Sequence, residues 1–362
     1  MYKYEHGGDI YTEETTADGK PLVDFSANIN PLGLPLGVKE AIKAAIKDCD
    51  NYPDPFCRKL REATAAYLNV KPEYLFFGNG ASDLLFRVAI ALKPVRGMVY
   101  APTFTDYAKA LRAAKCNVRN YYLLEENDFL PTKNIVGKMT TRTDIFIICN
   151  PNNPTGQITS RAVIERILQK CRVINCKLLV DECFMDFVAP EKAFSVRDLL
   201  ERYPELIVMK AFTKTFAMPG VRLGYLMCSD MEFLDKLYAS GQDWSVSVLA
   251  QAAGIAALKE QEYLHESMML VQEERQYLIS QLTALGAKVY GSEANYVFFR
   301  LTEPKRLDKL LREQGYIIRS CANYDNLERG YYRVAVKTRV LNRGLIKAIK
   351  EAKKHALFIN FN

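Results

Sequence analysis

Short apolar segments alternate with amphipathic helical segments along much of this chain, and this alternation constrains the fold more than any other feature. The segments Ile145–Cys149 and 206–209 contain no charged residue, which is typical of strands buried on both faces. Such strands, alternating with helices, predict an α/β fold in which a mostly parallel sheet is covered by helices on both faces. The other predicted strands are residues 98–100, 177–180 and 223–227, and the predicted helices before this series are residues 38–47, Arg58–Leu68 and 84–92.

The pattern changes at about Trp244, where a long helical stretch begins to dominate. That stretch and the short strands after it indicate a smaller α+β domain at the C-terminal end. The predicted elements are a helix over residues 260–285 and strands at 296–301, 316–320 and 331–336. The predicted organisation is an N-terminal arm (1–30) that packs near the small domain and the ligand site, a large domain (31–243) and a small C-terminal domain (244–362).

Polar residues stand directly after several of the predicted strands. Asp181 closes one strand, and the amide-rich segment 150–156 (NPNNPTG) follows another. In open α/β sheets, ligands bind outside the carboxyl ends of the strands, so we expect these groups to share one crevice. The turn 78–83 (GNGASD) leads into a helix, and free backbone N–H groups at a helix start suit a phosphate.

Lys214 follows the strand 206–209 within the segment 212–225 (FTKTFAMPGVRLGY). Taken alone, it could be an ordinary exposed lysine. With an acid at a neighbouring strand end, it is instead a candidate for a Schiff base with pyridoxal phosphate. Asp181 could then keep the pyridine nitrogen protonated, and Thr213 and Arg222 could contact the cofactor phosphate.

The order and spacing of these motifs resemble those of the fold-type I pyridoxal-phosphate enzymes, the aspartate aminotransferase superfamily, over nearly the whole chain. Within that superfamily the chain resembles the histidinol-phosphate aminotransferases and, more closely, the threonine-phosphate decarboxylases of cobalamin biosynthesis. The closer resemblance depends on the segments 6–9 (HGGD), 24–33 (DFSANINPLG), 317–324 and 331–336. Phe184 supports it, since histidinol-phosphate aminotransferases usually carry a tyrosine there.

The resemblance implies roles for individual residues at the cofactor. Phe104 would stack on the pyridine ring, and Asn153 would contact the ring's 3′-oxygen because Phe184 lacks a hydroxyl. Ala211 stands where relatives often place a hydroxyl on the cofactor phosphate. The implied cofactor-binding residues are Gly80, Ala81, Ser82, Phe104, Asn153, Asp181, Thr213 and Arg222, together with Tyr52 of the partner subunit in a homodimer with shared sites.

The resemblance also implies a phosphorylated amino acid as substrate. Arg333 would bind the α-carboxylate with a bidentate fork, and Arg319 and His6 would bind the phosphate. Further implied contacts are Asn28, Ile29 and Asn30, with Ser320, Asn323 and Tyr324 beside them.

Three functions stay open at this point. The first is decarboxylation of threonine phosphate, and the second is transamination of histidinol phosphate or another amino acid, because both reactions use the same residues. The bond at the substrate's Cα that stands perpendicular to the cofactor ring breaks, and residue identity does not fix that angle. The third is a catalytically silent binding protein with this fold.

Composition excludes other classes of function. The chain has 49 Lys and Arg against 42 Asp and Glu, a net charge of +7, and the basic residues are scattered, which argues against nucleic-acid binding. There is no apolar stretch long enough to span a membrane. Nine cysteines lie mostly in apolar segments without a CxxC pair, and only three histidines occur. We therefore expect reduced thiols in a cytoplasmic protein and no metal site.

Overall fold

The computed structural model describes residues 6–12 and 14–359. A sheet of seven strands forms its centre, and a second sheet of four strands lies in the C-terminal part. The strands are β1 (Val23–Asp24), β2 (Leu75–Gly78), β3 (Arg96–Ala101), β4 (Asn117–Tyr122), β5 (Ile145–Cys149), β6 (Lys177–Asp181), β7 (Leu206–Ala211), β8 (Gly224–Met227), β9 (Lys288–Tyr290), β10 (Tyr296–Arg300), β11 (Tyr316–Ile317), β12 (Arg319–Ser320) and β13 (Tyr331–Ala335).

The helices pack their apolar stripes against these sheets. Helix α6 shows why: its buried residues Ile164, Ile167, Leu168 and Cys171 follow the i, i+3, i+4, i+7 spacing of one helical face. The helices are α1 (Leu36–Ala45), α2 (Arg58–Leu68), α3 (Ala81–Leu92), α4 (Asp106–Ala113), α5 (Ile135–Lys138), α6 (Arg161–Ile174), α7 (Phe212–Thr215), α8 (Met231–Tyr238), α9 (Val248–Ala257), α10 (Gln261–Ala284), α11 (Leu307–Glu313) and α12 (Arg339–Ile359).

The central sheet has the strand order β2-β8-β7-β6-β5-β3-β4, and its strands are parallel except for β8. The predicted mostly parallel sheet is therefore confirmed. Successive side chains of β5 enter opposite cores: Phe146 and Ile148 pack on one face, and Ile145, Ile147 and Cys149 pack on the other. Burial on both faces explains why these strands have no polar alternation.

Strand β8 runs antiparallel to β7, a direction that its apolar sequence does not reveal. Only residues 212–223 connect the two strands, and their one helix, α7, has four residues. A parallel return needs a longer crossover that carries the chain back along the whole sheet. The short connection therefore leaves β8 to turn back beside β7, and the residues between them stay at the sheet edge.

The second sheet is antiparallel, in the order β12-β13-β10-β9. Strand β1 pairs in parallel with β11, so residues 23–24 lie beside the C-terminal part of the chain. The predicted strand 316–320 is divided at Ile318: β11 pairs with β1, whereas β12 pairs with β13. The domain boundaries after residues 30 and 243 stay a proposal.

The nine cysteines form no disulfide, and eight of them are buried, whereas Cys49 is exposed. Among the described residues, no helix is long and apolar enough to cross a membrane.

Glu125 links the two sheets. It follows β4 of the central sheet, and its carboxylate accepts hydrogen bonds from Tyr290 (2.5 Å) and Tyr331 (2.6 Å) and from Lys288 (3.0 Å) and Arg300 (3.2 Å) of the small sheet. The two tyrosine hydroxyls and the nearby cations lower the pKa of Glu125 to about 2. The carboxylate form is therefore the one that the folded protein stabilises.

Glu125→Gln should lower the free energy of unfolding at pH 7 by about 1–2 kcal/mol, because hydrogen bonds to a charged acceptor become bonds to a neutral one. A depressed pKa contributes stability above the ordinary value of 4.5, and this contribution disappears as the pH falls towards about 2. The difference between wild type and variant, measured by urea unfolding, should therefore shrink with acid. Glu232→Gln is the control, since Glu232 is 83% exposed. A pH-independent difference would contradict this prediction.

Candidate active site

A cavity of about 290 Å³ lies at the carboxyl ends of the central strands. The strand register explains why its residues meet: Cys149, Asp181 and Met209 are neighbours on β5, β6 and β7, so the segments that follow these strands begin at one edge. Predicted site residues that line the cavity are His6, Asn28, Ala81, Ser82, Phe104, Asn153, Asp181, Thr213, Lys214, Arg222, Arg319, Tyr324 and Arg333.

A larger cavity of about 860 Å³ lies elsewhere, between residues 67–74 and 195–201. Its charged side chains are already paired, Lys71 with Glu201 (2.9 Å) and Asp198 with Arg161 (2.6 Å). The smaller cavity instead brings a lysine, a buried aspartate and three arginines together, and we therefore take it as the candidate active site.

Lys214 lies on α7, the short helix after β7. Burial lowers the pKa of Lys214 to about 8, and the positive charges of Arg333 and Arg222 act in the same direction. Both the ammonium and the free amine are therefore populated near neutral pH, and the free amine is the nucleophilic form.

Asn30 holds the backbone that carries Lys214. Its N–H donates to the Lys214 carbonyl oxygen (3.2 Å), and its side-chain amide donates to the Thr215 carbonyl oxygen (2.7 Å) and to Ser267 (2.6 Å). On the other side, the Thr215 hydroxyl donates to Asp186 (2.7 Å). The buried Asn30 side chain is thus engaged with α7 and does not line the cavity, which differs from the substrate contact expected of it.

Asp181 is 6% exposed at the floor of the cavity. Its Oδ2 accepts a hydrogen bond from the Tyr107 hydroxyl (2.6 Å), and its Oδ1 accepts one from the Cys183 N–H (2.9 Å). Burial raises the pKa of Asp181, while these hydrogen bonds and the nearby Lys214 oppose the rise. The carboxylate is therefore oriented by two residues of the cavity wall and can accept a further donor from a bound ligand.

The start of α3 forms another wall of the cavity. Gly80 has a φ of +82°, and an added Cβ there would lie 2.6 Å from Arg222 Nη2. Glycine thus permits both the turn and the close approach of the guanidinium. The helix start and Arg222 together favour an anion at this position, with Ala81 and Ser82 beside it.

Arg319 and Arg333 stand directly opposite each other on the antiparallel strands β12 and β13, so their side chains share one face of the small sheet. Arg333 is 5% exposed. It donates to Asn153 Oδ1 and to the Ser26 carbonyl oxygen (2.6 Å), while its Nε has no hydrogen-bond partner among the residues that the structure describes. Two cations opposite each other are unfavourable by themselves, and this arrangement therefore favours an anionic ligand.

His6 reaches the cavity from the N-terminal arm. Its Nε2 lies 3.1 Å from Asp106 Oδ1, and its ring lies 5.4 Å from the ring of Phe104. Ser82 donates to Asp106 Oδ2 (3.3 Å). Burial acts to raise the pKa of Asp106, but His6, Lys109 and Ser82 outweigh it and hold the pKa below its ordinary value.

Several expected residues lie outside the cavity lining. Tyr52 is 80% exposed and stacks on Trp244 at 4.5 Å. Ile29 and Gly80 do not line the cavity, although Gly80 lies next to the lining residue Arg222. Phe184 does line it, and its ring packs edge-on against Tyr296 at 5.1 Å.

Asp106 and Tyr107 are site residues that the sequence analysis missed. Both belong to the first turn of α4, shortly after the end of β3 and Phe104. The signal that singled out Asp181, an acid that closes a strand, is absent here, because β3 ends at Ala101 and Asp106 lies in the helix that follows. Tyr107 is fully buried, and its position in the sequence does not distinguish it from an ordinary core residue.

Comparison with known proteins shows the family to which the chain belongs. Residues 20–349 match the family model "Aminotransferase class I and II". The chain is 35% identical to a threonine-phosphate decarboxylase of Salmonella typhimurium over 97% of each protein. It is 31% identical to a histidinol-phosphate aminotransferase of Moorella thermoacetica, over 96% of this chain and 90% of the relative.

Among solved structures, the histidinol-phosphate aminotransferase of Clostridium acetobutylicum matches with a TM-score of 0.87 and 29% identity, over 92% of this chain and 100% of that one. The L-threonine-O-3-phosphate decarboxylase of Porphyromonas gingivalis matches with a TM-score of 0.79 and 23% identity, over 90% and 98%, which concerns the fold alone. The expected fold-type I architecture is confirmed, and the chain belongs to the aminotransferase class I and II family, whose members use pyridoxal phosphate.

Proposed function

We propose that this chain is a pyridoxal-phosphate enzyme that decarboxylates L-threonine O-3-phosphate to (R)-1-aminopropan-2-yl phosphate, as a step of cobalamin biosynthesis. The observation that carries the proposal is one cavity that holds Lys214, Asp181 and the facing arginines Arg319 and Arg333. Such a cavity can bind an amino acid with two anionic groups. The 35% identity to a threonine-phosphate decarboxylase supports the choice of reaction.

The residues present fit the cofactor. Asp181 is held by two donors and faces the cavity, as a partner for a ring nitrogen must, and the wall at Gly80 and Arg222 suits a phosphate. When bound, pyridoxal phosphate supplies an electron sink that stabilises negative charge at the substrate's Cα. Residues proposed to hold it are Gly80, Ala81, Ser82, Phe104, Asn153, Asp181, Thr213 and Arg222, with Lys214 as the Schiff-base residue.

The two arginines divide the substrate's charges between them. We assign the α-carboxylate to Arg333, which is buried and fixed by Asn153 and Ser26. Arg319 is oriented by a hydrogen bond to Asn323 (2.9 Å), and we assign it the phosphate, together with His6 and Asn28. The spacing of these receptors then sets the angle of the carboxylate.

Lys214 is the proposed proton donor and acceptor at Cα. For decarboxylation, the bond from Cα to the carboxylate breaks, CO₂ leaves, and the Lys214 ammonium returns a proton to Cα. For transamination, the free amine of Lys214 removes the Cα proton instead. A pKa of about 8 supplies both forms near neutral pH, so the substrate's orientation decides between the two reactions.

The purified protein with pyridoxal phosphate should release CO₂ and an amine phosphate from O-phosphothreonine without any keto acid. Lys214→Ala should lower this rate by about 10²–10⁴-fold or more, because the proton-transfer group at Cα is lost. Lys236→Ala, at an exposed position, is the control and should retain wild-type activity. Undiminished turnover by Lys214→Ala would remove the lysine from the mechanism.

Transamination is the second candidate, because the histidinol-phosphate aminotransferases are nearly as similar in sequence. No CO₂ release, but activity once histidinol phosphate and 2-oxoglutarate are supplied, would assign the protein to the aminotransferases. Failure to bind pyridoxal phosphate would leave only a silent binding protein.

Arg319→Gln should raise KM for O-phosphothreonine about tenfold to a hundredfold, which corresponds to the loss of a charge-assisted hydrogen bond. The effect on threonine itself should be much smaller, since that substrate lacks the phosphate. Arg329→Gln, an exposed arginine nearby in the chain, is the control. Equal effects on both substrates would rule out a phosphate role for Arg319.

We further propose a homodimer in which Tyr52 contacts the cofactor phosphate of the partner subunit. The exposed Tyr52 ring stacks on Trp244 and does not line the cavity of its own chain. Tyr52→Phe should weaken cofactor retention, while Tyr11→Phe, at a similarly exposed residue, should not. Sedimentation that finds a fully active monomer would contradict the shared site.

A further inference from the structure

We propose that Tyr107 is a positioning residue that fixes the Asp181 carboxylate against the ring nitrogen of the cofactor and braces the ring of Phe104 above it. This inference goes beyond the proposed function in assigning a residue, and it rests on that function only for the identity of the cofactor. The first support is geometric: Tyr107 is fully buried in the first turn of α4, and its hydroxyl donates to Asp181 Oδ2 at 2.6 Å.

Tyr107 also contacts the residue proposed to stack on the cofactor. The rings of Phe104 and Tyr107 lie 5.5 Å apart with an interplanar angle of 79°, an edge-to-face geometry that favours one orientation of each ring. One buried side chain therefore touches both groups that would contact the pyridine ring, one at its edge and one on its face.

The hydrogen bonds of Asp181 show what the Tyr107 hydroxyl contributes. The described groups that hydrogen-bond this carboxylate are the Tyr107 hydroxyl and the N–H and thiol of Cys183. Burial raises the pKa of Asp181, and these hydrogen bonds act to lower it. Titratable groups that face Asp181 are Tyr107 from α4, Cys149 from β5, Lys214 from α7, Tyr296 from β10 and Cys183 from its own segment.

Removal of the Tyr107 hydroxyl should change the pKa of Asp181 in one direction. A hydrogen bond that favours the carboxylate form is lost, so the pKa of Asp181 rises further. Asp181 then takes up a proton at a higher pH and loses its attraction for a protonated ring nitrogen. A merely structural tyrosine would instead change stability and leave the pH dependence of cofactor binding in place.

The test is the dissociation constant of pyridoxal phosphate, titrated into apo-protein between about pH 6 and pH 9. Tyr107→Phe should weaken binding about tenfold or more, and the acid limb of its binding profile should move to higher pH. Tyr100→Phe is the matched control, since Tyr100 is also buried and its hydroxyl pairs with the neutral Thr159 at 3.3 Å. It should leave both quantities within about twofold of wild type.

The remaining outcomes are decisive as well. Wild-type affinity and an unshifted pH profile in folded Tyr107→Phe would overturn the inference. If that variant does not fold, Tyr107→His, which keeps a ring N–H donor, should bind more tightly than Tyr107→Leu, and equal binding would overturn the inference. Wild-type protein that binds the cofactor but releases no CO₂ would refute the proposed decarboxylation alone, whereas wild type that does not bind it would refute both.

Discussion

The parallel pairing of β5, β6 and β7 is the constraint on which the rest of the structure depends. These strands are buried on both faces, so polar side chains are tolerated only where the strands end. Because the strands are parallel, their carboxyl ends meet at one edge. Asp181 and Lys214 are therefore brought together by the hydrophobic effect, although they contribute nothing to it themselves.

Charge is concentrated at this edge at a cost in stability. Arg333 is almost fully buried, its Nε has no hydrogen-bond partner within the described part of the chain, and it stands beside Arg319 on the adjacent strand. Burial lowers the pKa of Lys214, and the charges of Arg333 and Arg222 lower it further. A chain under selection for stability alone would replace such a cluster with apolar side chains. The arrangement is understandable when an anionic ligand completes it.

The site also depends on contacts that cross between the two sheets. The segment after β1 contacts both Arg333 and the backbone around Lys214. The Ser26 carbonyl oxygen accepts a hydrogen bond from Arg333, and Asn30 donates hydrogen bonds to the α7 backbone. Glu125 joins the same two sheets farther from the cavity. The receptor for a carboxylate and the reactive amine are thus parts of one hydrogen-bonded structure, which fixes the distance between them.

The sequence by itself determined the strands β3, β5, β6, β7 and β8 of the central sheet, the change of pattern near Trp244 and the position of Lys214 and Asp181 at strand ends. These features are local, because apolar runs and the residues that end them are visible within short windows. Only the tertiary structure decided the reversed direction of β8, the division of residues 316–320 between two sheets, the turn of Asn30 towards α7 and the contact of Tyr107 with Asp181. Each of these depends on groups far apart in the chain: 74 residues separate Tyr107 from Asp181. Such pairs carry no local signal, since a buried tyrosine and a packed asparagine look the same in sequence whether they support a site or only a core.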